Sequence, residues 1–298
     1  MKELSVVICT CNRSDLLSRA LESIAGQTLD GNRFEVAVID NNSTDDTKVV
    51  TESFMDRIDL KYFFEAEQGY APARNRGWRE TNGRYVAYMD DDARAAPDWC
   101  EKILYAFESV TPKPAIVGGL ILPDYQSTPP GWFSDSLETR SWGDQAHFLE
   151  PPTAKDGFSS SNMAVSREIF HLYGGFTSVR RKDGREIHVG EDTRFCRKVF
   201  EYAPFFWYDP GIVVYHLVPE WKMKIAYRFV RSYRSGKAYS YMQEDVGEIY
   251  GAFRKFASVV YFVLITAPTR VIGNTGEFRS ETVRVLQELA WRLGGLFS

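Results

Sequence analysis

The chain has 298 residues, 44% hydrophobic and 26% charged, which excludes a disordered or fibrous polypeptide and suits one large α/β domain with additions or two small domains. Its net charge of −4 is unevenly spread: from Lys222 onward 12 Lys and Arg face 6 Asp and Glu, whereas the first 221 residues carry 24 against 34. An acidic body with a basic tail suits a carboxylate-rich site and a tail that meets phosphates or anionic lipid, and no nucleic-acid partner is expected.

Leu4 to Cys9 is an almost continuous apolar run, the pattern of a strand buried on both faces, and it ends at Thr10-Cys11-Asn12-Arg13. Ser14 or Asp15 then caps a helix whose Leu16, Leu17, Ala20, Leu21, Ile24 and Ala25 recur at helical spacing up to Gly26. Phe34 to Ile39 predicts a second strand ending at Asp40-Asn41-Asn42, with Ser43 or Thr44 capping the next helix. Leu60 to Phe64 predicts a third strand, Ala71 to Glu80 a helix carrying Arg74, and Tyr85 to Met89 a fourth strand that runs into Asp90-Asp91-Asp92. Alternation of buried strands and helices predicts a parallel sheet wound with helices, and all four strands end in polar clusters at the edge where open α/β sheets bind ligands. A Gly-x-Gly-x-x-Gly or Walker-type phosphate loop is absent after the first strand, which argues against dinucleotide and P-loop chemistry.

Along an extended chain Asp90 and Asp92 point one way and Asp91 the other. Two same-facing carboxylates suit a hard divalent cation such as Mg²⁺ or Mn²⁺; the alternative for the triplet taken alone is a solvated acidic turn.

After Pro97 a helix buries Trp99, Ile103, Ala106 and Phe107, and Ala115 to Leu122 reads as a strand containing Gly118-Gly119. Residues 123–152 hold five prolines and the aromatics Trp132, Phe133 and Trp142, which are expected to be exposed on a loop-rich excursion or a substrate lid. Ser159 to Val165 predicts a short strand, Ser166 the cap of a helix closed by Gly174-Gly175, and Glu191-Asp192 the start of another helix. Phe205 to Tyr208 and Ile212 to Tyr215 read as two late strands separated by the turn Asp209-Pro210-Gly211 and ending at His216.

The ordered segments Val6 to Arg13, Val38 to Asp45, Gly69 to Gly77, Asp90-Asp91-Asp92, Ser161 to Ala164, Gly174-Gly175-Phe176, Gly190-Glu191-Asp192 and His216 resemble the family 2 glycosyltransferases, over about residues 4 to 220. The resemblance implies a GT-A fold, that is, a Rossmann-like, mostly parallel sheet flanked by helices. It implies a catalytic domain over 1–220, with a nucleotide-sugar half at 1–122 and an acceptor half at 123–220, followed by a helical extension over 221–298. It further implies a nucleotide-diphosphate sugar donor, UDP-linked by family frequency, and transfer to a glycan or lipid-linked acceptor hydroxyl with inversion. Residue by residue, it gives Asp40 to the base, Arg74 with Thr10, Asn12 and Arg13 to the nucleotide pocket, Asp90 to ribose or diphosphate and Asp92 to Mn²⁺ or Mg²⁺. Asp91 stands on the donor side, supporting its loop. Asp192 is the implied general base, and His216 a further metal ligand. Asn162, Met163, Glu191 and Trp132 fall on the acceptor side. Two other functions stay open: a sugar-1-phosphate nucleotidyltransferase, for which a basic glycine-rich loop after the first strand is missing, and a nucleotide-sugar-binding scaffold without transfer.

Of the four cysteines, Cys9, Cys11, Cys100 and Cys196, the first two share a strand face, where cysteines rarely pair; reduced thiols and a cytoplasmic location are expected, with no signal peptide ahead of the first strand. No apolar run reaches the roughly 20 residues that span a bilayer; the longest is Phe256 to Ala267. In the tail, Ile225, Phe229, Val230 and Tyr233 recur at helical spacing between Lys222, Lys224, Arg228, Arg231, Arg234 and Lys237. Two readings are open: a helix lying on an anionic membrane at the inner face of the cytoplasmic membrane, or one packed on the catalytic domain or on a second subunit.

Overall fold

The structure, a computed structural model, describes residues 2–151, 157–180, 186–187, 190–242 and 278–296. The apolar run 256–267 and Phe297 lie outside them. The described residues fall into two compact units, one within 1–124, 139–178 and 191–217, the other within 125–138, 179–190 and 218–298.

The first unit opens with β1 (Leu4–Thr10), α1 (Ser14–Ala25), β2 (Phe34–Asp40), α2 (Thr47–Glu52), β3 (Leu60–Phe64), α3 (Tyr70–Glu80) and β4 (Tyr85–Asp90). β5 (Ala93–Ala95) and α4 (Trp99–Ser109) follow, then β6 (Ile116–Tyr125), β7 (His147–Phe148), β8 (Met163–Ser166) and α5 (Arg167–Tyr173). The sheet runs β3-β2-β1-β4-β8-β6-β11-β5, where β11 is Phe206–Val218, and β7 pairs with β11. The pairs β3/β2, β2/β1 and β1/β4 are parallel, with Thr10 opposite Asp40, Asp40 opposite Phe64 and Cys9 opposite Asp90. β8 is antiparallel to both β4 and β6, so β6 runs in the same direction as the first four strands. The outcome is a mixed, mostly parallel sheet flanked by helices, as the alternation of elements predicts.

β1, β2 and β4 are buried on both faces, so their side chains sort by alternation. Leu4, Val6 and Ile8 join Leu17, Leu21, Trp99 and Phe107 on one side, while Val7, Ile39, Val86 and Tyr88 join Phe158, Phe170 and Phe195 on the other. Gly119 is required where β6 passes β11, because a Cβ there would run into the Ile212 carbonyl.

Two expectations are corrected, and one strand is new. The late strands are one continuous β11, with no break at 209–211: Asp209 accepts the Gly211 N–H locally at 2.7 Å, while Trp207–Tyr208 pair with β7 and Val214–His216 with β5. β5, a three-residue strand, is unforeseen because its ladder partner lies far along the chain. The aromatics of 123–152 are not exposed: Trp142 packs 5.1 Å from Phe158 in the first unit, and Phe133 is 9% exposed in the second.

The second unit holds β9 (Val179–Arg180), paired antiparallel with β10 (Glu186–Ile187), together with α7 (Ile225–Met242) and α8 (Phe278–Leu296). The first unit's remaining helix is α6 (Glu191–Phe200). Phe133, Leu137, Val218 and Met223 form a small core in the second unit, with Tyr125 and Trp132 against it. α7 and α8 lie so close that Gly236 abuts the Trp291 backbone, leaving no room for a side chain.

Candidate functional site

The carboxyl ends of β1, β2 and β4 meet on one edge of the first unit, and their loops are tied to one another. Asn12, at φ 54, places its backbone N–H on the Ser43 hydroxyl at 2.8 Å and accepts from the Thr44 N–H at 2.7 Å. Asp45 accepts the Ser14 N–H at 2.9 Å, so the start of α1 is satisfied by the neighbouring loop and not by its own Ser14 or Asp15 side chain. Asn41 donates to the Glu65 and Glu67 carbonyls and accepts the Gly69 N–H at 2.8 Å, which anchors the turn into α3.

On this frame Asp90, Asp92 and His216 converge, each offering a ligand atom within 4.8 Å of the others. His216 Nε2 lies 3.1 Å from Asp92 and 3.9 Å from Asp90, and its Nδ1 faces the Leu217 carbonyl at 3.3 Å. β11 brings His216 here by pairing with Ala93, immediately after the triplet. Two carboxylates and an imidazole, with the second ring nitrogen held by a carbonyl, are a donor set that fits Mn²⁺ or Mg²⁺. Asp91 turns the opposite way. It is 4% exposed, accepts from the Thr10 hydroxyl at 2.8 Å and pairs with Arg13 at 3.0 Å. Arg13 also reaches Asp92 at 3.6 Å. Burial pushes the Asp91 acid up to about 6, against the pull of Arg13 and the Thr10 hydroxyl.

Across the same edge, Arg74 of α3 and Glu191 at the start of α6 form an ion pair, each 6% exposed. Arg74 also approaches Asp90 at 3.8 Å, and its guanidinium lies 5.2 Å from the Tyr70 ring and 5.7 Å from the Phe176 ring. Burial alone would lower the Arg74 pKa; Glu191, Asp90 and Asp192 outweigh it and hold it raised. Burial, and after it the Glu191 charge, push the neighbouring Asp192 acid up to about 6, although Arg74 and the Thr193 and Ser160 N–H groups draw it down. A carboxylate with that value is ionised at neutral pH yet basic enough to accept a proton.

Asp40 is 3% exposed and accepts from the Ser43 N–H at 2.8 Å and the Tyr62 hydroxyl at 2.7 Å. Burial and the Asp40 charge raise the Tyr62 pKa, so Tyr62 stays a donor. Tyr62 and Ser161, whose hydroxyl donates to Asp90, are residues that sequence reasoning missed. A lone tyrosine or serine in a strand-like run carries no signal until the register puts it beside a carboxylate.

Of the residues expected on the acceptor side, Glu191 belongs to the Arg74 pair. Asn162 and Met163 are 2% and 1% exposed. Asn162 accepts the Trp99 indole N–H at 2.8 Å and donates to the Leu120 and Ile212 carbonyls at 3.0 and 2.9 Å, tying β6, α4 and β11 together. Trp132 lies in the second unit, 5.3 Å from Phe133. Replacing Asn162 with Ala strands one buried N–H and two buried carbonyls, and is expected to cost about 3 kcal/mol in urea unfolding; a loss under about 0.5 kcal/mol would show that these bonds carry no stability.

Over 117 residues the chain is 40% identical to validoxylamine A glucosyltransferase of Streptomyces hygroscopicus subsp. limoneus, covering 39% of this chain and 26% of that relative. The chain thus spans only about a quarter of that protein's length. With glucosyl-dolichyl phosphate glucuronosyltransferase of Haloferax volcanii it is 25% identical over 269 residues, covering 88% of this chain and 85% of the relative. Among solved structures, mannosyltransferase PcManGT from Pyrobaculum calidifontis, in complex with GDP-Man and Mn²⁺, superposes with a TM-score of 0.64 at 17% identity, covering 99% and 87% of the two chains. S. aureus TarS 1–349 in complex with UDP gives 0.57 at 14% identity, covering 97% of this chain and 90% of that one. At these identities the likeness is one of fold, the GT-A arrangement of a sheet between helices. Residues 5–183, from β1 past the acidic triplet, match Glycosyl transferase family 2, and the chain belongs to that family.

Proposed function

We propose that the chain transfers a sugar from a nucleotide-diphosphate donor to an acceptor hydroxyl by a single inverting displacement. The observation that carries this reading is the convergence of Asp90, Asp92 and His216 on the sheet edge that also presents Asp192 at the start of α6. Asp92 and His216, with Asp90, are the residues that would hold Mn²⁺ or Mg²⁺, and a divalent ion bound there offsets the charge of the departing diphosphate. Arg13, oriented by Asp91 and Thr10, lends a second cation to the same charge, and Arg74, clamped by Glu191, fixes the wall of the pocket. Asp40, oriented by Tyr62 and Ser43, is assigned to the base, with Asn12 holding the loop beside it. Asp192 accepts the proton of the acceptor hydroxyl as its oxygen bonds to the anomeric carbon. The bond to the diphosphate oxygen breaks with its electron pair leaving on the nucleotide, and attack from the opposite face inverts the centre.

UDP is the proposed nucleotide, supported by the TarS–UDP neighbour; the GDP-Man complex of PcManGT makes GDP the comparator. A glycan or lipid-linked acceptor is supported by relatives whose names carry dolichyl phosphate and PP-undecaprenol. Four free cysteines favour a reducing, cytoplasmic setting.

The test is nucleoside-diphosphate release from a panel of UDP-, GDP- and dTDP-sugars with Mn²⁺, measured between pH 5 and 8. Since Asp192 must be ionised to act, turnover is expected to be flat above pH 7 and to fall about tenfold per unit below about 6. Asp91 titrates in the same range, so the profile is repeated with Asp91→Asn, in which the acid limb is expected to persist. No release from any donor sinks the transfer reading, and a limb that vanishes in Asp91→Asn moves it away from Asp192.

A further inference from the structure

α7 is built inside out. Its Arg228 is 2% exposed, paired with Glu138, donating to the Leu137 carbonyl at 2.7 Å and lying 5.4 Å from the Phe133 ring. Its apolar residues point the other way: Ile225 is 47% exposed, Phe229 39% and Val230 44%, and Trp221, in the turn leading into the helix, 51%. A helix in contact with water alone buries such a stripe and leaves its arginines outside. The sequence leaves packing and membrane contact open for this stripe; within the second unit the inward face is taken by a charge, and the stripe is turned outward.

The exposed ends of this face carry cations. Ile225–Met242 holds three arginines and a lysine and no carboxylate; Arg228 and Arg231 pair with Glu138, and Arg234 stands exposed. Lys224, also exposed and 4.0 Å from the Glu220 carboxylate, stands at the other end of the apolar stripe. A second copy of the chain docking on itself would set this cationic helix against its own image, like charge on like. An anionic surface with an apolar interior matches both features at once.

We propose that the exposed face of α7 is a lipid-docking surface, on which Ile225, Phe229, Val230 and Trp221 enter the headgroup–acyl boundary of an anionic bilayer while Lys224 and Arg234 meet its phosphates. Among the described residues no helix is long and apolar enough to cross a membrane, so this contact is interfacial. It does not depend on sugar transfer, and its test reads no activity.

The full chain is floated on sucrose gradients with vesicles of phosphatidylcholine alone or with 30 mol% phosphatidylglycerol, in 0.1 and 0.5 M NaCl. The wild type is expected to rise with the anionic vesicles only, and to lose most of that binding in high salt. Ile225→Glu/Phe229→Glu is expected to lower the partition coefficient at least tenfold. Because that variant changes a helix, Lys224→Glu/Arg234→Glu, which alters only exposed charges, is run beside it and is expected to lower it about tenfold as well. A wild type that stays at the bottom with anionic vesicles overturns the proposal, as does flotation that both variants retain. Sedimentation velocity without lipid supplies the last arm: a salt-resistant dimer that Ile225→Glu/Phe229→Glu converts to monomer assigns the face to a second copy and overturns the lipid reading.

Discussion

Asp92→Ala is expected to abolish metal-dependent donor binding and to lower sugar transfer by at least about 10³-fold, the scale of losing the main charge stabilisation at a reacting centre. Asp92 is 3.1 Å from His216 Nε2 and shares the cluster with Asp90, so its removal takes away one of the two carboxylates that would hold the ion. It also removes half of the anionic surroundings of Arg13, which keeps Asp91 at 3.0 Å. The measurement is thermal shift of the folded protein with a UDP-sugar, with and without Mn²⁺: the wild type is expected to be stabilised more by the pair than by either alone, and the variant to lose that synergy. A variant whose shift with the pair equals that of the wild type, with transfer intact, would take Asp92 out of the metal site.

Asp192→Asn is expected to lower kcat by about 10³-fold while leaving donor affinity nearly unchanged, since general-base catalysis is worth roughly 10²–10⁴. Asn keeps the shape and can still accept the Thr193 N–H that Asp192 now holds at 2.7 Å, but it cannot take a proton. It also removes the negative charge beside Glu191, so the fold is expected to tolerate it. The split between kcat and donor binding separates this variant from Asp92→Ala. Near-wild-type kcat in Asp192→Asn would remove the base assignment, and loss of donor binding would reassign Asp192 to the donor pocket.

Much of the architecture was readable in advance because it rests on local patterns. Apolar runs of five to seven residues ending in polar clusters specified β1 to β4 and their helices, and period-2 alternation sent Asp90 and Asp92 one way and Asp91 the other. What had to wait for the tertiary structure depends on partners far along the chain. Register alone sets Tyr62 against Asp40 and brings His216, through the pairing of β11 with β5, beside the triplet. Asn162 stands in the segment Ser161 to Ala164 that carries the family resemblance, and only packing shows that its amide bonds Trp99, Leu120 and Ile212. The orientation of α7 was equally out of reach: a stripe of Ile225, Phe229 and Val230 says that a helix has an apolar side, but which side meets its own unit is decided by the Glu138 that captures Arg228. Periodicity is a property of neighbours in sequence, whereas the choice of a buried partner is a competition across the whole chain.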